Sequence, residues 1–132
     1  MKLINEIIHI PILNCNIHLF IGDRGYIKEA LQKEFGDEDG LELFKEIKQD
    51  DTIDGSSIML SNGYKIIYLP QYKDDISSQC VLVHEIFHTA INIMLSRDIQ
   101  LNNSTEEVCA YLIEYLYEEI FEAIKKNETE ES

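Results

Sequence analysis

Residues 81–95 read VLVHEIFHTAINIML, an apolar run interrupted by His84, Glu85 and His88. The pattern extends from about Asp75 to Ser96 and is apolar nearly all round, which predicts a helix packed on most sides with Asp75 as its N-cap. His84 and His88 stand four residues apart, so they project from one face on adjacent turns, close enough to grip one ion together. Glu85 lies about 100° round the helix from His84, beside the pair, where a carboxylate can take a proton from a metal-bound water. Two imidazoles in a dry helix would cost free energy unless a partner used their nitrogens. A zinc ion would do so while keeping both neutral.

Upstream, LINEIIHIPIL and NIHLFIG read as two strands broken near Pro11 and Asn14, and His9 and His18 within them read as structural. RGYIKEALQKEF switches to helical spacing, with Ile27, Ala30, Leu31 and Phe35 on one face and Gly36 ending it. A second short helix is expected at GLELFKEIKQ, residues 40–49, followed by turn signals in DDTIDGSS, residues 50–57. IMLSNGYKIIYLP then predicts a hairpin with a tight turn at Asn62 and Gly63. Pro70 closes its second strand and suits a strand end or an outer edge, and YKIIYLP could present an unpaired edge to which an extended peptide adds as another strand. Beyond the histidine helix, RDIQLNN reads as a loop, and residues 104–126 as a final amphipathic helix opening with a capping box, Ser104 and Glu107. The expected architecture is α+β: a small, mostly antiparallel sheet against the histidine helix and the C-terminal helix. Residues 1–126 form one domain in this reading, and the acidic tail 127–132 is disordered.

The length of 132 residues suits one ordinary domain. A formal net charge of −14 disfavours phosphate backbones and anionic membrane surfaces, so no nucleic-acid or membrane partner is expected. The N-terminus lacks the pattern of a secretory signal, and no segment is apolar enough for a membrane span. Three widely spaced cysteines, Cys15, Cys80 and Cys109, suit a reducing cytoplasm. Cys80 and Cys109 read as small apolar fillers more than as ligands.

A catalytic zinc ion usually takes three protein ligands, so one more donor is required. Glu106 and Glu107 are the candidates. The stripe Cys109, Leu112, Ile113, Leu116 and Ile120 places Glu106 at its edge and Glu107 well off it, and the capping box would occupy Glu107. Glu106 is therefore the assigned ligand. The loop 97–103 can span about 23 Å, against about 12 Å of helix rise from His88 to Ser96, so the chain can return level with the histidines.

HEIFH, followed by a helix opening TEEVCAYL, resembles the gluzincin group of zinc metallopeptidases, and more narrowly its small members of bacterial and phage genomes. The resemblance covers residues 80–116. It implies a zincin-like fold, zinc held by His84, His88 and Glu106, and Glu85 as general base in the hydrolysis of a peptide substrate. A second electrophile for the charge developing on the substrate oxygen is commonly a Tyr or His in such sites; Tyr111, Tyr115 and Tyr117 are available, and Tyr117 falls on the Glu106 side of its helix. The chain departs from larger gluzincins at Ala110, where they carry an aspartate that orients a histidine. It also lacks the third histidine of an HxxGxxH extension, which disfavours the metzincin branch. The reading from another class is a catalytically silent zinc-binding module that holds a partner. Glu85 favours the enzyme, since a purely structural zinc site has no use for a base.

Overall fold

A computed structural model describes residues 3–47 and 52–131. The end of the short helix expected through Gln49, the turn residues Asp50 and Asp51, and the two termini of the sequence lie outside the described residues. The described chain is α+β. It runs β1 (Ile4–Ile10), a 3-10 turn (Pro11–Leu13), β2 (Cys15–Ile21), α1 (Gly25–Phe35), α2 (Asp37–Lys45), β3 (Ser56–Met59), β4 (Lys65–Leu69), α3 (Ile76–Leu95) and α4 (Glu106–Glu131). The four strands form one mixed sheet in the order β1-β2-β4-β3, antiparallel at both outer pairs and parallel between β2 and β4.

Alternation along β2 and β4 explains the layering. Ile17, Leu19, Ile21, Ile67 and Leu69 face a core shared with α3 and α4, whereas Phe20, Ile66 and Tyr68 face a second core with Ile27 and Leu31 of α1. Helices cover both faces, so the two central strands read as continuous apolar runs instead of alternating ones. This overturns the expectation that YKIIYLP offers a free edge. β4 is the inner strand, paired on both sides, and the edge next to it is β3.

The hairpin joining β3 and β4 turns through Ser61, Asn62 and Gly63. Gly63 donates to the Leu60 carbonyl at 2.8 Å and takes φ +88°, while the Leu60 amide donates to the Tyr64 carbonyl. This is a type I turn closed by a left-handed glycine, one residue longer than the tightest hairpin. The α1–α2 crossing depends on a second glycine: a Cβ on Gly40 would lie 2.4 Å from the Gln32 backbone.

α3 is less enclosed than its composition predicts. Leu82, Glu85, Ile86, Thr89, Ala90, Ile93 and Met94 are buried, but Ile76, Val83, Phe87 and Leu95 are exposed together with His84 and His88. The sheet covers one side of the helix and α4 a second, and among the described residues no other element packs broadly against it. Asp75 caps α3 as expected, accepting the Ser78 amide at 2.8 Å. α4 runs on through Glu131, so tail residues 127–131 continue a helix already nucleated upstream. No described helix is long and apolar enough to cross a membrane.

His18 is buried under α1 and is structural, as its strand position suggests. Its Nε2 faces the Asn5 side-chain oxygen, which can only accept, so Nε2 carries the proton and Nδ1 accepts the Tyr64 hydroxyl at 2.7 Å. The ring stacks on Phe20 with centroids 4.1 Å apart. Burial holds its pKa down at about 4 from the ordinary 6.5. The folded state thus resists a proton that the unfolded state takes up, and stability present above pH 6.5 is lost as pH falls towards 4. The expected loss is about 2 kcal/mol, read from urea unfolding at pH 7 and pH 4.5, and this component should vanish in His18→Gln. Parallel stability curves for the two proteins would contradict the assignment. Gly40→Ala should cost about 2 kcal/mol in the same assay, because the clash is with backbone and the helices must move apart.

Candidate functional site

The exposed face of α3 presents His84 and His88 on adjacent turns, their rings 4.7 Å apart between centroids and inclined at 71°. Their Nε2 atoms stand 3.2 Å from each other. Two Zn–N bonds of about 2.0–2.1 Å at the tetrahedral angle would separate the nitrogens by about 3.3–3.4 Å. The observed pair therefore has close to the separation that one shared ion requires. A single proton shared between neutral rings accounts for the same distance. Both rings are exposed, so burial is not what calls for a partner, contrary to the expectation of a dry helix.

Glu85 is the buried member of the motif, 9% exposed. Its stem lies against the chain entering β3: a Cβ on Gly55 would come within 3.2 Å of Glu85 Cγ and 2.9 Å of Val81. One turn on, Thr89 donates to the Glu85 carbonyl at 2.9 Å, which leaves Ser57 of β3 to donate to the Thr89 hydroxyl at 2.6 Å. The edge strand is thereby tied to the helix segment that carries the motif.

The third ligand does not join the pair. Among the described residues, no three His, Cys, Asp or Glu side chains gather closely enough to hold a metal ion. Glu106 and Glu107 both lie exposed on the first turn of α4. The expected capping box is also absent. The Asn102 side chain accepts the Ser104 and Thr105 amides at 2.9 and 3.2 Å, closing an Asx turn just ahead of α4, and the Ser104 hydroxyl donates to the same oxygen instead of capping the helix. An Asx turn forms as soon as the loop permits, ahead of the serine the pattern suggested. Glu107 is thus not committed to capping. Helical phase puts Glu106 on one side of α4 with Ile113 and Tyr117, and Glu107 on the neighbouring side with Glu114 and Glu118.

Ile113 and Tyr117 line a groove of about 770 Å³ between α3 and α4, with Val83, His84 and Cys80 opposite. Tyr117 stacks on Phe121 at 5.9 Å. Glu114 and Glu118, which the sequence pattern assigns to a solvated face, stand on the same wall of this groove. Their signal was available in their spacing from Ile113 and Tyr117. Nearby, Tyr72 buries its hydroxyl without a hydrogen-bond partner among the described residues. Burial and the adjacent Tyr117 raise its pKa. Cys109 is buried and its thiol is pushed up by desolvation, as befits an apolar filler. Cys80 is exposed in the groove.

No protein-family model, curated protein or solved structure matches this chain. The gluzincin resemblance therefore stands on His84, Glu85, His88 and the opening of α4.

The Asx turn ahead of α4 is checked directly. Asn102→Ala should destabilise the protein by about 1–2 kcal/mol in urea unfolding while Ser104→Ala costs a few tenths. The reverse order would restore Ser104 as the cap.

Proposed function

We propose that this chain is a minimal zincin-like, zinc-dependent metallopeptidase, with His84, His88 and Glu106 holding the metal and Glu85 as general base. The observation that supports it is the 3.2 Å separation of the two Nε2 atoms, which matches two ligands of one tetrahedral ion. Bound there, zinc would supply a water acidic near neutrality and polarise the scissile carbonyl. Glu85 takes a proton from the attacking water and passes it to the leaving nitrogen. Its stem is packed against Gly55 at the entry to β3. Tyr117, on the groove wall with His84, is the hydroxyl we assign to the developing oxyanion. β3 offers the free ladder to which an extended peptide would add, taking the role the sequence suggested for β4. Three free cysteines support a reducing, cytoplasmic setting.

A second reading, a catalytically silent zinc-binding or interaction module, draws on one observation: no third donor is gathered around the histidine pair among the described residues. One experiment separates the two. Purified protein should bind one zinc ion per chain, measured by metal analysis after dialysis, and lose it in His84→Ala and His88→Ala. Glu106→Gln should weaken zinc affinity by at least the roughly ten- to hundredfold that loss of an outer partner costs, and Glu107→Gln should not. Glu85→Gln should keep the metal and lower peptide hydrolysis by a factor on the order of 100 to 10,000. Zinc binding with identical cleavage products from wild type and Glu85→Gln would leave only the binding module. Absence of zinc binding would end both.

A further inference from the structure

We propose that the groove between α3 and α4 recognises a peptide segment in which apolar side chains are followed by Lys or Arg, and that this is the part of a substrate held beside the histidine pair. The second half rests on the peptidase reading above. The groove holds about 770 Å³, and Ile76, Val83, Ile113 and Tyr117 give it apolar walls. Ile76 is 78% exposed and Val83 43% exposed, so the molecule leaves apolar surface in water along the helix that carries the motif. Contiguous apolar surface with a polar rim marks a binding site. The rim has one sign of charge. Glu114 and Glu118 line the α4 wall, and no Lys or Arg lines the groove among the described residues. The neighbouring cation on α4, Lys125, is already engaged by Asp74 and Glu128. A second copy of this chain would bring the same carboxylates against themselves, at a like-charge cost. An apolar segment ending in cations instead fills the walls and meets the rim, and a net charge of −14 steers it in. His84 belongs to both the groove and the metal-ligand pair, so a segment seated there lies next to the reacting bond.

The test uses two fluorescein-labelled peptides that share a pair of leucines, one followed by two lysines and the other by two glutamates. Binding to the full chain is read by fluorescence anisotropy in the presence of EDTA. The lysine peptide should bind and its glutamate twin should not. Glu114→Lys with Glu118→Lys should weaken lysine-peptide binding by about tenfold or more. Glu114→Gln with Glu118→Gln should weaken it in the same direction, with thermal midpoints as in wild type. Glu38→Lys with Asp39→Lys on the distant α2 alters net charge equally and should change binding by less than about twofold. Equal binding of the twin peptides, or equal loss in the α2 variant, would overturn the proposal. Lysine-selective binding in a protein that takes up no zinc would end the peptidase reading and leave the groove standing. Zinc-dependent cleavage indifferent to the groove charges would do the opposite.

Discussion

Everything at the candidate site follows from one packing constraint, the burial of a single row of α3 against the sheet. Leu82, Ile86, Ala90 and Ile93 are fully buried and recur at intervals of three and four residues. Each large side chain in that row contributes about 1.5–3 kcal/mol by leaving water, so rotating the helix would cost several kcal/mol. With that row inward, steps of about 100° carry His84 and His88 outward and leave Glu85 at the boundary. The division of roles within the motif, exposed imidazoles beside a half-enclosed carboxylate, is therefore dictated by core packing and not by any interaction among the three polar groups.

The same packing connects the motif to the edge of the sheet. Ser57 bonds Thr89, and Gly55 gives room for the Glu85 stem, so β3 cannot slide along α3 without breaking a hydrogen bond and losing a close contact. A substitution at Gly55 would push on Leu69, Val81 and Glu85 together. That glycine is explained by crowding alone, without appeal to an unusual backbone angle. The site thus draws on two elements, α3 and β3, that the chain joins through β4.

What could be read from the sequence was what local spacing encodes. The hairpin at Asn62–Gly63, the Asp75 cap, the α4 stripe through Leu112, Leu116 and Ile120, and the pairing of His84 with His88 all depend on neighbours within a few residues. Non-local pairing was not legible. The parallel β2–β4 ladder aligns His18 with Ile66 across dozens of residues, and it is this ladder that moves β4 from the edge to the middle. Apolar content also misled at α3, because Val83 and Phe87 look like core in one dimension and stand in solvent in three. Ahead of α4 the Ser104 pattern also misled, because Asn102 draws the Ser104 amide and hydroxyl and the Thr105 amide into an Asx turn.

The third donor is the point at which packing no longer decides. Arg97 bonds the Leu13 and Asn14 carbonyls, and Thr105 bonds the Gln100 carbonyl, so the α3–α4 connection is anchored to the β1–β2 turn and to itself. The backbone entering α4 is held, and only the glutamate side chains on its first turn retain freedom. Ordering one glutamate rotamer costs up to about 2 kcal/mol. Structural zinc sites in small peptides release about 10–16 kcal/mol on binding. A metal ion seated on the histidine pair has ample free energy to recruit such a side chain, provided its reach suffices. Helix phase does not choose between the two, since Glu106 shares a side of α4 with Ile113 and Tyr117 and Glu107 shares one with Glu114 and Glu118, and all four of those residues line the groove. Under the reading proposed above, a single carboxylate would decide between a three-ligand centre and a two-point clamp, and the groove and the edge strand are common to both.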